Sequence, residues 1–565
     1  MHLADWIILT LYFAYVIGEG FRYGKKNRNL DDYFRGKRSL RWWAVGLSVM
    51  ATQASAITYI GTTGQAYDAG MSFIQVYLPQ PLVMVVLCIT FVPFFYKANI
   101  FTAYEYLEKR FDARTRSLTS FLFLMSRGLA VSIVLYAPSI ILAVIFGWSE
   151  IFTVLVMGVS TILYTTAGGN KAVIMIDAKQ MILMFAGIFV AFALFVAKFP
   201  AQYSIMDAVH LAGLQGKWNN IDLSLDLSRS YTLLSGMLGG FFLALSYFGC
   251  DQSQVQRYLT GKSLTESRLS LVFNAFLKVP MQFLILAMGV FMFVSYHFVK
   301  PPLNFNTSYH QILTQEASSE YSELEKKYDA AFEERRAAAL ALKQARHGGN
   351  DDLLGGAEQK YFMTEEMFRK IKQENHSLLK SVIGSEPSSE VNYLFPAFLV
   401  QHAPTGILGI MLAVIFAAAM SSFSSEINAL SSATIIDFYK RYYKREADEA
   451  HYLRASRMAT LFWGLFATTA ACFAGRLGSL IEAVNIVGSY FYGPILGVFL
   501  LAFMVKRCGG RGAFWGLIAG QAAVLAVAHY STISYLYYNV VGSAAVLIVG
   551  VLVSYWPRYQ RHNAG

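Results

Sequence analysis

Long apolar stretches separated by short polar loops run through most of the chain. A membrane-spanning helix needs about 20 predominantly apolar residues, and thirteen segments of this sequence fit that description. Their approximate bounds are 4–20, 42–68, 72–97, 116–146, 149–167, 171–199, 232–259, 266–299, 406–437, 451–475, 477–503, 512–530 and 534–556. The pattern therefore predicts an all-α integral membrane protein with 13 transmembrane helices.

The basic residues of the loops give this arrangement an orientation. If the N-terminus is outside, the odd-numbered loops face the cytoplasm, where membrane proteins are enriched in Lys and Arg. Those loops and the C-terminal tail hold the basic residues at 22–41, 97–114, 171, 262–268, 440–445, 506–511 and 558–561. The opposite short loops hold almost none apart from Arg476. We therefore expect a multi-pass protein of the cell (inner) membrane with its N-terminus out and its C-terminus in.

Composition narrows the function classes. Hydrophobic residues make up 55% of the 565 residues and charged residues only 15%, where a soluble domain carries about 25% charge. This argues against an ordinary cytosolic enzyme, and no HExxH, GxSxG or Walker motif lies at a membrane face. The net charge of +11 is assigned to orientation, so the expected partners are the lipid bilayer and a small solute, with no nucleic acid and no obligate protein partner.

One polar insert interrupts the apolar pattern. Residues 302–395 contain 15 Asp and Glu against 11 Lys and Arg. Within them Tyr321–Ala345 is rich in strong helix formers, His347–Gly356 is typical of a turn, and Glu358–Lys380 predicts a second helix. We expect a helical hairpin outside the membrane; the alternative is a flexible insert with no task of its own.

Two apolar segments carry an unusual density of small and hydroxylated residues. Segment 42–68 contains AlaThrGlnAlaSerAlaIleThr at 51–58, which predicts either an unwound helix that lines a cavity or a packing face of small residues. Segment 406–437 contains Ser421, Ser424 and Ser425 on one helical face. Hydroxyl and carbonyl oxygens suit hard cations, so this face is a candidate Na⁺ site, unless the hydroxyls bond back to their own helix.

Charged residues within the apolar segments are functional candidates, because each is costly inside a membrane. They must have partners or ligands, since a buried charge without one is untenable. We expect Asp251 and Arg257, near a cytoplasmic end, to form a structural polar cluster. The other candidates are Arg127, Asp177, Lys278, Glu426 and Glu482.

These motifs resemble the sodium:solute symporter family, the relatives of the sodium/glucose and proline carriers. The resemblance covers about 42–503 without the insert. It rests on Ala51-x-x-Ala54-Ser55, on Gly168-Gly169 followed by Asp177 and Gln180, on Asp251-Gln252 followed by Gln256-Arg257, and on AlaAlaMetSerSer-x-SerSer at 418–425. It implies a LeuT-type fold of two inverted five-helix repeats, each beginning with a broken helix, 42–68 and 232–259. Gly236, Gly239, Gly240 and Gly249 fit the second break.

The implied organisation has five parts. An extra helix and a basic loop come first, then the first repeat, an extracytoplasmic loop, the second repeat with its insert, and two further helices with a short tail. Their bounds are 1–41, 42–199, 200–231, 232–503 and 504–565.

The resemblance also implies ion and solute positions. The family's common sodium site corresponds to Ala51, Ala54, Ala418, Ser421 and Ser422. A second sodium site, known in sialic acid carriers, corresponds to Asp177, Ser421, Ser424 and Ser425, which favours two Na⁺ per cycle. The solute candidates are Ser55, Thr58, Phe73, Gln75, Tyr77, Arg127, Tyr247, Phe248, Lys278 and Asn485.

The expected function is sodium-coupled import of a small organic solute by alternating access. Sugar carriers place a glutamate where this chain has Tyr77 or Gln75, which weakens a glucose or galactose assignment. Arg127 matches an arginine near the substrate of sialic acid carriers, and a guanidinium suits a carboxylate. An acidic sugar such as sialic acid is therefore favoured; the alternatives are a neutral sugar, inositol or amino acid, or a sensor without net transport.

Overall fold

The computed structural model describes residues 1–387, 389–473 and 480–555, so Arg476, Arg558 and Arg561 lie outside the described residues. Apart from an isolated bridge between Leu40 and Gly261, regular structure in these ranges is helical. The first half contains α1 Leu3–Gly24, α2 Trp42–Gln53, α3 Ala56–Ala69, α4 Gln80–Ile89, α5 Phe91–Ala98, α6 Ala103–Arg110, α7 Ala113–Phe146, α8 Glu150–Val196, α9 Ile205–Leu214, α10 Gly240–Cys250 and α11 Gln252–Tyr258. The second half contains α12 Leu264–Ser295, α13 Thr307–Glu316, α14 Ser318–Gly348, α15 Asp351–Ile383, α16 Leu394–His402, α17 Ile407–Ala433, α18 Glu449–Ala471, α19 Leu480–Met504, α20 Gly510–Tyr530 and α21 Tyr538–Tyr555.

Within the described ranges, nine helices are long and apolar enough to cross a membrane, or ten if the bent pair α2 and α3 forms one span. This is fewer than the thirteen predicted segments. The shortfall has three sources: α8 joins two predicted segments in one helix of 47 residues, 232–259 is divided into short helices, and α18 carries charged residues.

A kink at Gly169 divides α8 between its two predicted segments. Gly169 has φ 66° and ψ −172°, a conformation that L side chains avoid. A Cβ atom here would lie 2.8 Å from the Tyr33 carbonyl oxygen. Asn27 also donates from Nδ2 to the Gly168 carbonyl oxygen at 2.8 Å. The α1–α2 connection therefore packs into the kink.

Both predicted broken helices are present. α2 and α3 meet at 56° across Ala54 and Ser55, and α10 and α11 are separated by Asp251, whose φ and ψ are −77° and 123°. Of the glycines proposed for the second break, only Gly249 lies next to it. The other three lie at the start of 235–250, where Cβ atoms would collide with the backbones of 75–76 and Leu536, so they permit close packing instead.

α17 forms the centre of the molecule. It packs against α1, α2, α7, α8 and α18. Within the apolar window of Ile407–Tyr443, 89% of the residues are buried. The hydroxyl groups of α17 are therefore surrounded by protein, so each must find a partner in the fold or in a ligand.

α14 and α15 form the predicted hairpin. The second helix begins at Asp351, seven residues before the predicted start, because the Asn350 side chain accepts hydrogen bonds from the Asp352 and Leu353 N–H groups and caps the helix. Gly355 and Gly356, which suggested a turn, are therefore helical. The two helices enclose their own apolar cluster around Tyr328 and Phe368.

An ion pair joins the hairpin helices where they meet α12. Arg335 Nε lies 2.6 Å from Glu365 Oε2, and its Nη1 donates to the Tyr296 carbonyl oxygen at 3.2 Å. Burial alone would raise the pKa of Glu365, but the charge of Arg335 holds it well below its usual range. His297 hydrogen-bonds the Tyr361 hydroxyl at 2.9 Å. Burial, and then the charge of Arg335, lowers the pKa of His297 to about 4.

Candidate functional site

The hydroxyl groups of α17 lie against the broken end of α2. Ser422 Oγ donates to the Thr52 carbonyl oxygen at 3.1 Å and approaches that of Ala51 at 3.5 Å. Ala54 ends the helix with φ −87° and ψ 71°, so the carbonyl groups of the last turn of α2 lack their usual helical donors. Ala418 is buried one turn before Ser422. The structure thus brings the Ala51 carbonyl to a hydroxyl of α17, as predicted for a cation site.

Ser421 has the least satisfied of these hydroxyl groups. Its Oγ is buried beside the Asp177 carboxyl group and has no hydrogen bond of regular geometry among the described residues. Asp177 Oδ1 is likewise buried without a partner. Two adjacent oxygens with unused acceptor capacity indicate a place for a donor or a cation.

Asp177 is already paired through its other oxygen. Asp177 Oδ2 accepts a hydrogen bond from Ser48 Oγ at 2.7 Å, lies 3.4 Å from Ser425 Oγ and 3.5 Å from Arg257 Nη2. Ser424 instead donates to the Ser421 carbonyl oxygen at 3.0 Å. The alternative of hydroxyls bonded back to their own helix therefore holds for Ser424.

Arg127 is held by three side chains. Its Nε lies 2.5 Å from Asp251 Oδ2, its Nη1 lies 3.0 Å from Glu426 Oε1, and its Nη2 donates to the Tyr492 hydroxyl. These bonds use three of the roughly five N–H donors of a guanidinium. Arg127 therefore joins α7 to the α10–α11 break, to α17 and to α19.

The expected cluster of Asp251 and Arg257 has a different form. Asp251 pairs with Arg127 and Arg257 pairs with Asp177. Ser253 links the two pairs, because its N–H and hydroxyl donate to Asp251 while its carbonyl accepts from Arg257. Asp251, at the α10–α11 break, therefore contacts an arginine of α7, whereas Arg257, on α11, contacts an aspartate of α8.

A cavity lies next to Arg127 and the α2–α3 break, with about 860 Å³ of space between its atoms, including the part open to solvent. Seven of the ten solute candidates line it. They are Ser55, Thr58, Phe73, Tyr77, Arg127, Tyr247 and Asn485. The predicted positions thus converge on one cavity from five parts of the chain.

The other three solute candidates do not line this cavity. The Gln75 amide is engaged by the loop before α10, donating to the Tyr231 carbonyl oxygen and accepting from the Asp222 N–H. Phe248 is buried against Tyr247, with ring centroids 5.0 Å apart. Lys278 is fully buried, with Nζ 5.3 Å from the centre of the Tyr77 ring.

The start of α3 faces the cavity, and the Thr58 hydroxyl there makes one long hydrogen bond, of 3.4 Å, to the Gln53 carbonyl oxygen. Ser55 precedes the helix in an extended conformation, and its side chain caps no helical N–H group. Ser55, Ile57 and Thr58 all line the cavity. The first N–H groups of a helix and its dipole favour an anion, so this wall suits a carboxylate.

Sequence reasoning did not assign five polar residues of the cavity wall to the site: Thr52, Gln53, Gln80, Glu426 and Tyr492. Glu426 was visible as a charge within an apolar segment. Thr52 and Gln53 lie in the stretch 51–58 that the sequence analysis singled out. Gln80 and Tyr492 carried no sequence signal, because glutamine and tyrosine are unremarkable in membrane helices until the fold places them. Within the described residues no group of three or more His, Cys, Asp or Glu side chains could hold a metal ion.

Comparison with known proteins decides the family. The model of the sodium:solute symporter family matches residues 33–320 and 364–520, well over half of the chain. The chain belongs to the sodium:solute symporter family. Residues 1–32, 321–363 and 521–565 lie outside the match, and the stretch 321–363 covers most of α14 and the first part of α15.

Similar proteins extend over nearly the whole chain. The sodium/sialic acid symporter SiaT of Proteus mirabilis (strain HI4320) is 27% identical over 97% of this chain and 94% of its own length. The sodium/sialic acid symporter NanT of Aliivibrio fischeri (strain ATCC 700601 / ES114) is 25% identical over 97% and 92%. A solved structure of a substrate-bound, outward-open Na⁺-coupled sialic acid symporter is 25% identical, covers 98% of both chains and superposes with a TM-score of 0.76.

The family assignment fixes the class of activity. The protein is a multi-pass membrane transporter that couples movement of a small solute to Na⁺, and it is a secondary transporter and not an enzyme. The resemblance seen in the motifs is therefore confirmed, as are Na⁺ coupling and the all-helical architecture.

Proposed function

We propose that this symporter imports an acidic sugar such as sialic acid, with two Na⁺ per cycle. The observation that carries the proposal is the cavity itself. It is lined both by Ser55 and Thr58, at the N-terminus of α3, and by Arg127 on α7. The similarity to two sodium/sialic acid symporters over almost the full chain supports the same solute class.

The solute carboxylate binds at the start of α3. Ser55 and Thr58 supply hydroxyl groups, and the first N–H groups of the helix supply further donors. Arg127 lines the same cavity, but its charge is shared by the Asp251 and Glu426 carboxylates, and three of its donors are engaged by Asp251, Glu426 and Tyr492.

The first Na⁺ binds between the end of α2 and α17. Its ligands are the carbonyl oxygens of Ala51, Ala54 and Ala418 and the hydroxyl groups of Ser421 and Ser422. The second Na⁺ uses Asp177, Ser421, Ser424 and Ser425. The unpartnered oxygens of Asp177 and Ser421 support it, and the neighbouring Arg257 guanidinium weakens it by like-charge repulsion.

Thirteen spans with the N-terminus outside account for the helices. The kink at Gly169 divides α8 into two spans, since 47 residues exceed the roughly 20–25 that a bilayer needs. Helices α10 and α11 form another broken span, and α18 completes the set. In this orientation the hairpin lies outside the cell (inner) membrane, and the two repeats run over 42–199 and 232–503.

Transport follows from coupling between the two sites. Thr52 lines the cavity, and its carbonyl oxygen accepts from Ser422 at the sodium position, so each ligand orders the segment that the other contacts. Binding of Na⁺ and solute is then mutually favourable. Two Na⁺ with a monoanion move one net charge, which a potential of 100 mV drives by about 2.3 kcal/mol.

The test is uptake into proteoliposomes with an inward Na⁺ gradient. N-acetylneuraminate should accumulate and should be displaced by itself but not by inositol, galactose or proline. An inside-negative potential should increase the rate. Uptake of a neutral solute instead would overturn the acidic-sugar proposal, and uptake that ignores the potential would overturn the stoichiometry.

A further inference from the structure

One carboxylate oxygen of the cavity wall has no partner. Glu426 lies on α17, is 3% exposed and lines the cavity. Its Oε1 accepts a hydrogen bond from Arg127 at 3.0 Å, whereas its Oε2 is buried and accepts none among the described residues. Leaving a buried acceptor unsatisfied is unfavourable, so a donor from outside the chain fits this position.

The charges around Glu426 do not cancel. Arg127 carries one positive charge, and it is shared between the carboxylates of Asp251 and Glu426. Asp251 has the shorter contact and three further donors, from the Ser253 N–H and hydroxyl and from the Tyr492 hydroxyl. The uncompensated negative charge therefore lies on the Glu426 side of the cluster.

The position of Glu426 on α17 places its side chain in the cavity proposed to bind the solute. Glu426 and Ser422 are one turn apart, both line the cavity, and Ser422 reaches the end of α2. Ser55 and Thr58 line the same cavity. A solute with its carboxylate at the α3 N-terminus therefore shares the cavity with Glu426 Oε2.

We infer that Glu426 is a specificity-determining residue that accepts a hydrogen bond from a hydroxyl or amide N–H group of the solute. The inference rests on the proposed function and narrows it. The site takes a polyhydroxylated acid and rejects a plain monocarboxylate, because a monocarboxylate has no hydroxyl or amide N–H group to donate to Glu426 Oε2. A site built to hydrogen-bond a substrate group discriminates strongly against analogues that lack that group.

The experiment measures Na⁺-driven uptake of N-acetylneuraminate by wild type, Glu426→Gln and Glu426→Ala, with pyruvate and propionate as competitors. Each variant should raise the KM at least tenfold while Vmax and the half-saturating Na⁺ concentration stay within twofold. Pyruvate and propionate should not compete in wild type. If Glu426 had only a structural role, its replacement would lower Vmax or the affinity for Na⁺ in addition to raising the KM.

Glu482→Gln is the matched control, because Glu482 accepts a hydrogen bond from the Tyr231 hydroxyl at 2.9 Å and does not line the cavity. Its KM should remain within twofold of wild type. An unchanged KM in both Glu426 variants, or competition by propionate equal to that by N-acetylneuraminate, overturns the inference.

The outcomes also separate this inference from the proposed function. If wild type takes up galactose or inositol and not the acid, the proposed function fails. The role of Glu426 then stands if Glu426→Gln raises the KM of that solute and falls if it does not. If none of these solutes is taken up or raises the unfolding temperature of wild type, both are overturned.

Discussion

Arg127 Nε and Asp251 Oδ2 lie 2.5 Å apart, and this contact joins α7 to the break between α10 and α11. Both side chains are almost fully buried. Removing one member of a buried pair costs about 3–5 kcal/mol, because the other charge loses its partner. The contact therefore couples a cavity residue to the integrity of a broken helix.

Arg127→Gln should destabilise the protein strongly, since it leaves the Asp251 and Glu426 carboxylates together without a cation. The double variant Arg127→Gln/Asp251→Asn should recover part of the loss, because it removes one of the two charges. Thermal unfolding in detergent measures both. Equal melting temperatures for the single and double variants would contradict the charge argument.

Arg127→Lys keeps the charge, and we expect it to lower uptake about tenfold, roughly 1.4 kcal/mol, through loss of the planar fork.

Ser422→Ala should weaken Na⁺ binding. The hydroxyl contacts the Thr52 and Ala51 carbonyl groups at the end of α2, so its removal takes one ligand from the proposed first site. The half-saturating Na⁺ concentration for uptake should rise about tenfold, or roughly 1.4 kcal/mol. Ser132→Ala is the control, because that hydroxyl bonds only the Gly128 carbonyl of its own helix. A similar rise in the control would remove the support for the site.

Asp177→Asn should lower the Hill coefficient for Na⁺ from near two to one, because it takes the only charged ligand from the proposed second site. Asp437→Asn is matched to it, since Asp437 is also fully buried and paired with an arginine, Arg116, at 2.6 Å. Both variants should lose stability, but only Asp177→Asn should change the Na⁺ dependence. An unchanged Hill coefficient would mean that Asp177 serves only as the partner of Arg257.

Gly169→Ala should destabilise the fold by about 2–4 kcal/mol, because the conformation suits only glycine and the new Cβ meets Tyr33. Gly147 also has a positive φ, of 65°, but nothing lies within 4 Å of its Cβ position. Gly147→Ala should cost only about 1–2 kcal/mol, the price of the left-handed conformation. Unfolding temperatures compare the two, and equal losses would show that the contact with the α1–α2 connection is unimportant.

Acid should loosen the hairpin where it meets α12. The folded pKa of His297 is about 4, below the roughly 6.5 of an unfolded histidine, so the unfolded state binds more protons between these values. Stability is complete above pH 6.5 and falls as the pH drops toward 4. Hydrogen exchange of 351–383, corrected for intrinsic rates, should accelerate at pH 5 in wild type and less in His297→Gln. His376→Asn, at an exposed position, should behave like wild type.

Features that depend on the composition of one short segment could be predicted from the sequence. The hydroxyl groups at 421–425 and the small residues at 51–58 identified the broken end of α2 and the face of α17, because those compositions are unusual at membrane depth. The charge partners were not readable in the same way. Arg127 meets Asp251 at the α10–α11 break, Glu426 on α17 and Tyr492 on α19. Their distances along the chain carry no information about contact.

The sequence also could not show which side chains of a short segment point into the cavity. Gln75 and Tyr77 are two residues apart, yet only Tyr77 faces the cavity, since a short 3₁₀ turn at Ser72–Val76 directs Gln75 toward the loop before α10. The start of α15 was missed because two glycines suggest a turn, while the cap that moves the start to Asp351 depends on a single asparagine.

The hairpin also has a mechanical consequence. At one end Arg335 and Tyr361 hydrogen-bond Tyr296 and His297, the two residues that follow α12. At the other end His347 contacts Asp207, in the segment after α8, at 2.9 Å. The hairpin thereby links α9, which follows α8, to the end of α12. We expect these contacts to resist motions that separate the two ends, and we expect the transport cycle to bend the chain where it is already broken, at Ala54 and Asp251.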